Sequence, residues 1–191
     1  MEIKRDKNLK DLINRMHNGM IKVVTGIRRC GKSYLLFNIF KKYLLEQGVQ
    51  ESHIITIELD KRSNKKYRDP DIILDHIESL IIDNEQYYIM LDEVQMLNEF
   101  EEVLNSLLHI NNADIYVTGS NSKFLSKDVI TEFRGRGDEI HIYPLTFKEF
   151  MQAYDEDIYH GWAEYVIYGG LPLTATMKTQ ELEDLICLRQ K

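Results

Sequence analysis

Gly26, Ile27, Arg28, Arg29, Cys30, Gly31, Lys32 and Ser33 follow one another in the spacing G-x-x-x-x-G-K-S. Residues of these types in this order can hold a phosphate. Small residues let the backbone curl so that successive N–H groups point inward, Lys32 carries a mobile positive charge to the outer phosphates, and Ser33 offers a hydroxyl to Mg²⁺. A helix beginning there aims the positive end of its dipole at the anion. With Tyr34, these residues form the candidate phosphate-binding run, a Walker A pattern. Ile21, Val23 and Val24 precede it as apolar β-formers and an amphipathic run follows. That placement between strand and helix separates the pattern from an ordinary glycine turn before a surface helix.

A second group of candidate residues ends the run Tyr87-Tyr88-Ile89-Met90-Leu91-Asp92-Glu93. Five apolar residues read as a buried strand that finishes in two acids. In a parallel sheet the carboxyl end of such a strand lies beside the phosphate loop. Asp92 is then placed to hold Mg²⁺ through its water shell, and Glu93 to polarise a water attacking a γ-phosphate. Taken alone, a strand running into two acids is weak; the glycine loop about sixty residues upstream gives it meaning.

Ser120 and Asn121 follow the strand Asp114 to Thr118. Small polar side chains there can hydrogen-bond a γ-phosphate or the attacking water, and they equally suit turn chemistry or a helix N-cap. Arg134 and Arg136 flank Gly135. They suit charge stabilisation of a transferring phosphoryl group, with a basic turn as the plain alternative.

The elements that must position these groups are legible in the periodicity. Asp6 to His17 reads as a short helix, Met20 to Thr25 as a central strand, and Lys32 to Gln47 as a helix with Leu35, Leu36, Ile39, Phe40, Tyr43 and Leu44 on one face. His53 to Leu59 is a second strand, so a right-handed βαβ unit with parallel strands follows. Asp60 to Asp69 is polar and basic, with Lys61, Arg62, Lys65, Lys66 and Arg68. It reads first as a solvated loop and second as a contact for nucleic acid or an acidic partner. Helices are expected from Pro70 to about Ile82, from Asn98 to Ile110 and from Ser122 to Phe133, with a strand from Glu139 to Tyr143. After Pro144 come short helices at Phe147 to Tyr154, Trp162 to Tyr168 and Gln180 to Arg189, with a turn at Tyr168-Gly169-Gly170-Leu171-Pro172. The aromatic residues of this last part read as small-domain core.

The 191 residues suffice for one ordinary domain and a small appendage, and 43 % apolar residues suit a buried core. No apolar stretch is long enough for a bilayer, so no membrane role is expected. The first residues lack an apolar signal region. Cys30 and Cys187 are far apart without metal-ligand spacing, which suits a reducing, cytoplasmic setting. Cys30 itself reads as a small spacer in the loop. The net charge of −7 excludes polyanion binding by bulk electrostatics. Yet residues 1–48 carry eleven Lys and Arg against four acids, and residues 138–191 carry four against ten. The basic N-terminal part holds the phosphate loop, which favours local attraction of a nucleotide.

Five stretches in order, Thr25 to Ser33, Ile89 to Gln95, Tyr116 to Asn121, Arg134 to Arg136 with Pro144 to Phe150, and Tyr168 to Pro172, resemble the prokaryotic AAA-type ATPases of the archaeal-ATPase kind. The resemblance implies an α/β P-loop NTPase sandwich with a five-stranded parallel sheet of order 5-1-4-3-2. It implies an ATPase core over residues 1–145 and a helical lid over 146–191, with a further C-terminal domain usual in relatives. Arg136, with Arg134 beside it, is implied as an arginine finger, in cis or in trans within a homo-oligomer. The cofactors implied are ATP and Mg²⁺; the lack of a guanine-reading Asn-Lys-x-Asp, from which Asn64-Lys65-Lys66-Tyr67 departs, also favours ATP. The expected function is Mg²⁺-dependent ATP binding and hydrolysis coupled to a protein partner or C-terminal domain. The alternative is a DNA-associated nucleotide switch with little turnover. A small-molecule kinase ranks third, because Asp92 and Glu93 suit water activation better than an acceptor alcohol. The lid shows no clear second sensing arginine, Arg189 near residue 191 being a poor candidate, so the basal rate is expected to be low.

Overall fold

The computed structural model describes residues 3–119, 135–154 and 157–176. Ser120, Asn121, Arg134 and the expected helices at 122–133 and 180–189 lie outside the described residues. The chain separates into two compact units.

The larger unit comprises Asp6–Gly26 and Lys32–Ile142. Its centre is a sheet of five parallel strands, β1 (Ile21–Thr25), β2 (Ile54–Glu58), β3 (Tyr87–Asp92), β4 (Ala113–Thr118) and β5 (Gly137–His141), in the order β2-β3-β4-β1-β5. This is the expected order, with β4 between the glycine-loop strand and the acid-tipped strand. β1 and β3 are buried along their whole length, as a parallel sheet covered on both faces requires. The inside–outside alternation of a half-exposed strand is therefore absent from them, and the apolar run itself is the strand signal.

Helices α1 (Asp6–Ile13), α2 (residues 32–46), α3 (Pro70–Leu80) and α4 (Phe100–Leu107) flank the sheet in this unit. α2 is one continuous helix, α-helical over Lys32–Tyr34 and Lys41–Glu46 and π-helical over Leu35–Phe40. Asp69 caps α3 by accepting from the Asp71 and Ile72 N–H groups, and Pro70 occupies the first turn where its missing N–H does no harm. Ile73, Ile77, Val103, Leu104 and Leu107 from α3 and α4 join Ile55, Ile57, Ile89, Leu91, Ile115 and Val117 in one core. Each fully buried side chain of this size contributes about 1.5–3 kcal/mol.

Several boundaries differ from expectation. The helix expected over 98–110 is Phe100–Leu107, the one expected over 147–154 ends at Phe150, and the one expected over 162–168 begins at Ile158. The strand expected over 139–143 is Gly137–His141, two residues earlier. The ladder explains the shift: β1 has five residues to offer, and they pair from Ile21 with Gly137 to Thr25 with His141. Ile142 stays buried just past the last pair, which extends the apolar alternation beyond the strand. The first helix ends at Ile13 rather than His17, and the chain continues in turns to a left-handed His17. The basic segment is wound into a 3-10 helix over Arg62–Arg68 rather than a loop. Arg68 fixes it by donating from Nε to the Leu59 carbonyl at 2.8 Å and from Nη2 to the Asp60 carbonyl at 3.3 Å.

The smaller unit comprises Met1–Arg5, Ile27–Gly31 and Tyr143–Lys191. It contains α5 (Phe147–Phe150), α6 (Ile158–Tyr168) and α7 (Pro172–Thr176). Thr146 and Glu149 cap α5 reciprocally, side chain to backbone in both directions. Ile3, Leu145, Phe150 and Ala175 form its core, with Phe147 and Tyr165 packed against them. The Tyr168–Pro172 turn holds this unit through Gly170. Leu145 N–H donates to the Gly170 carbonyl at 2.6 Å, and the Tyr165 hydroxyl donates to the Leu145 carbonyl at 2.8 Å. A Cβ at Gly170 would collide with the Leu145 carbonyl oxygen. Gly170→Ala is therefore expected to destabilise the chain by about 1–3 kcal/mol, the usual range for overpacking. Chemical denaturation followed by circular dichroism measures it.

Candidate functional site

All five strands run the same way, so the residues that follow them gather at one edge of the sheet. β1 leads to Gly26, β3 ends in Asp92 followed by Glu93, β4 ends in Thr118, and β2 ends in Glu58, two residues before Asp60. α2 starts at the same edge with Lys32 and Ser33. Ser33 Oγ donates to Asp92 Oδ1 at 2.8 Å. The Thr118 hydroxyl also donates to Asp92 Oδ1, and it accepts from the Glu93 N–H at 3.0 Å. Lys32 is buried, and its Nζ donates to the Gly26 carbonyl at 3.1 Å. Its ammonium thus sits over the first residue of the glycine loop.

The acids differ in environment. Asp92 is buried, and burial pushes its carboxyl above the usual carboxylate range. The Thr118 and Ser33 hydroxyls pull it back, while the negative charges of Glu93 and Asp60 add to the rise. Glu93 stands one residue beyond β3 with φ 51°, in the left-handed region. That turn swings it out of the strand. The Gln95 side-chain amide donates to Glu93 Oε2, which orients the carboxylate.

Ligand atoms of Glu58, Asp60 and Asp92 lie within 4.8 Å of one another. With the Ser33 hydroxyl this is an all-oxygen donor set, which suits a hard divalent cation such as Mg²⁺. A cation there would relieve the cost of ionising buried Asp92, so the residues fit the ion.

The glycine loop has the backbone its sequence requires. Gly26, Arg29 and Gly31 have φ of 143°, 67° and 97°. Two of the three are glycines, for which positive φ is accessible; Arg29 bears the strain of a left-handed non-glycine residue. Ile27, Arg28, Arg29 and Tyr34 are exposed, whereas Cys30 is fully buried.

Sequence reading and structure bring the same central group together: Gly26, Lys32, Ser33, Asp92 and Glu93. Arg136 is not among them. It is exposed at the amino end of β5, where its carbonyl accepts from the Ile21 N–H at 2.8 Å. A five-residue strand, about 16 Å of chain, separates that edge from the edge with Asp92. Thr118, Gln95, Glu58 and Asp60 join the site without having been legible as site residues. A signal for Glu58 exists, since a strand beside β3 in register places Glu58 opposite Asp92. Thr118 stands in the sequence just ahead of Ser120 and Asn121, the two polar residues favoured instead.

A parallel sheet of this order, a glycine loop between β1 and α2, and a buried acid bonded to the loop's serine define a P-loop nucleotide-handling fold. Comparison with known proteins agrees. The model of the AAA domain family matches residues 18–151. The chain belongs to the AAA domain family, whose members bind and hydrolyse nucleotides.

Two curated relatives are uncharacterised proteins. One from Haemophilus influenzae is 34% identical over 190 residues, covering 96% of this chain and 47% of the relative. One from Methanocaldococcus jannaschii is 30% identical over 186 residues, covering 89% and 38%. The chain thus spans less than half the length of these relatives. Among solved structures, a Walker-type ATPase of Pyrococcus abyssi aligns with a TM-score of 0.64 at 17% identity, over 90% of this chain and 65% of that one. The Aeropyrum pernix Orc1 protein, solved in complex with DNA, aligns with a TM-score of 0.56 at 15% identity, over 80% and 48%. These two likenesses show the shared fold. Among the described residues no helix is long and apolar enough to cross a membrane.

Proposed function

We propose that this chain is an Mg²⁺-dependent ATP-binding and hydrolysing module that couples its nucleotide state to a partner or to a further domain. The observation that carries this reading is the bonding of Ser33 to Asp92 at 2.8 Å beside buried Lys32. The loop from Gly26 to Ser33 receives the phosphates through its N–H groups and the Lys32 ammonium. Ser33 and Asp92 would hold Mg²⁺, with the Glu58 and Asp60 carboxylates beside Asp92. The ion, when bound, compensates phosphate charge. Glu93 takes the proton of the attacking water, and Gln95 and Thr118 keep its carboxylate and backbone in place. Ser120 or Asn121 contacts the γ-phosphate or that water in this reading.

Arg136 acts in trans. Its place at the opposite edge from Asp92 in the same sheet supports a finger supplied to a neighbouring copy. The ATPase rate per molecule is expected to rise with protein concentration, and Arg136→Ala is expected to remove the rise. A rate per molecule that is flat over a roughly hundredfold range of concentration would reject the finger in trans.

A second reading is a DNA-associated switch with little turnover. A cleft of about 590 Å³ lined by Lys65, Lys66, Arg68, Asp69, Ile72, Met96 and Asn98, three cations against one acid, favours it. Arg68 is committed to backbone carbonyls, so Lys65 and Lys66 are the cations to test. If they meet phosphates, neutralising both lowers the slope of log affinity against log salt by about two. No DNA binding at low salt would remove this reading.

A further inference from the structure

Two motifs have no task in nucleotide chemistry as described above: Pro144 to Phe150 and Tyr168 to Pro172. The first reaches Arg5 through Glu149, and the second lies beside Gly31 of the glycine loop through Pro172. The Arg5 side chain is an almost completely buried cation, 7% exposed. Each part of its guanidinium has a separate acceptor. Nε pairs with Glu149 Oε1 at 3.3 Å, Nη2 donates to the Tyr143 carbonyl at 2.8 Å, and Nη1 donates to the Cys30 carbonyl at 3.3 Å. The last of these belongs to the glycine loop. A Cβ at Gly31 would stand 3.5 Å from Pro172 Cγ and 4.0 Å from Arg5 Nη1, so the same peptide is also backed by the Tyr168–Pro172 motif.

We propose that Arg5 is a positioning residue for the phosphate loop, bracing the Cys30–Gly31 peptide from behind. The physical reason lies in that peptide. It is planar and trans, so its carbonyl and its N–H point in opposite directions. Holding the Cys30 oxygen toward Arg5 turns the Gly31 N–H the other way. Gly31, at φ 97°, has a backbone freedom that would otherwise let this peptide flip. A fixed peptide presents its N–H to a phosphate without reordering at the moment of binding. An ion pair serving only to hold Arg5 against α5 would need Glu149 alone. The two carbonyl bonds use the planar fork, which a lysine cannot reproduce.

This rests on the nucleotide reading for its consequence, but the brace itself is testable without nucleotide. Hydrogen exchange on the nucleotide-free chain is expected to quicken in the segment 27–31 for Arg5→Gln, with β1 and β4 unchanged. Calorimetry is expected to show ATP affinity weakened about tenfold, the scale of one charged hydrogen bond. Arg5→Ala is expected to regain affinity to within about threefold when ethylguanidinium is added, since the lost group is the guanidinium. Glu149→Gln, which keeps the volume at α5, is expected to shift exchange in the same segment and covers the case in which the Arg5 variants do not fold. Unchanged exchange at 27–31 in the folded variants overturns the proposal. So does an affinity loss that ethylguanidinium leaves in place. A parent chain that binds no ATP sinks the nucleotide reading instead, and the exchange result still decides the brace.

Discussion

Glu93→Gln is expected to bind ATP as the parent chain does and to turn it over about 10²- to 10⁴-fold more slowly, the range lost with a general base. The reasons are local. Glu93 has left β3 through a left-handed turn, and its backbone is held by the Thr118 hydroxyl rather than by its own carboxylate. Replacing the carboxylate with an amide therefore leaves the backbone bond intact. The Gln95 amide that now donates to Glu93 Oε2 can donate to the new carbonyl oxygen. What is lost is the negative charge that takes a proton from water. Lys32, Ser33 and Asp92 keep their contacts, so binding survives. Single-turnover kinetics with calorimetry separate the two quantities. A parallel loss of affinity and rate would place Glu93 among the binding groups instead.

Asp114→Ala is expected to destabilise the chain by about 3–5 kcal/mol, the scale for breaking a buried ion pair from one side. Lys22 and Asp114 are both buried and bonded to each other near the amino ends of β1 and β4. Asp114 also accepts from the His17 N–H at 3.0 Å and the Tyr116 hydroxyl at 2.7 Å, while Lys22 Nζ donates to the Met20 carbonyl at 2.8 Å. Burial, and then the Asp114 charge, push the Tyr116 hydroxyl far above its ordinary range, so it stays a donor at all working pH. Removing the carboxylate strands a buried ammonium. Domains of this kind hold about 5–15 kcal/mol in total, so the loss is a large share. The double change Lys22→Met with Asp114→Asn removes both charges and is expected to recover most of it. Denaturant titration reads both; equal losses in the single and double variants would show that packing, not charge, sets the cost.

The fold was legible because its strongest signals are coarse. Buried strands such as Tyr87–Asp92 are plain apolar runs, and a glycine loop between strand and helix fixes the parallel arrangement. The order of the strands came from the family resemblance, not from periodicity. The candidate site was legible where chemistry demands a residue type, as at Lys32, Ser33, Asp92 and Glu93. It was illegible where a residue acts by register. Glu58 reaches Asp92 only because β2 and β3 pair in one alignment, and Thr118 reaches it from a third strand. Arg5 was equally silent: an arginine in that stretch carries no local pattern, and its acceptors at Cys30, Tyr143 and Glu149 lie far along the chain. The shift of β5 had another cause, since pairing with β1 rather than apolar alternation set its limits.

In the proposed ATP site, Lys32 and Ser33 act together with the acid at Asp92. Calorimetric titration of ATP with Mg²⁺ into the parent chain and into Lys32→Ala tests it most directly. Lys32 is buried with its ammonium on the Gly26 carbonyl, so its removal takes the positive charge out of the loop without exposing a core. The expected result is saturable, Mg²⁺-dependent binding in the parent chain and none measurable in Lys32→Ala, with both folded by circular dichroism. Equal ATP affinity in the two folded chains would contradict the account.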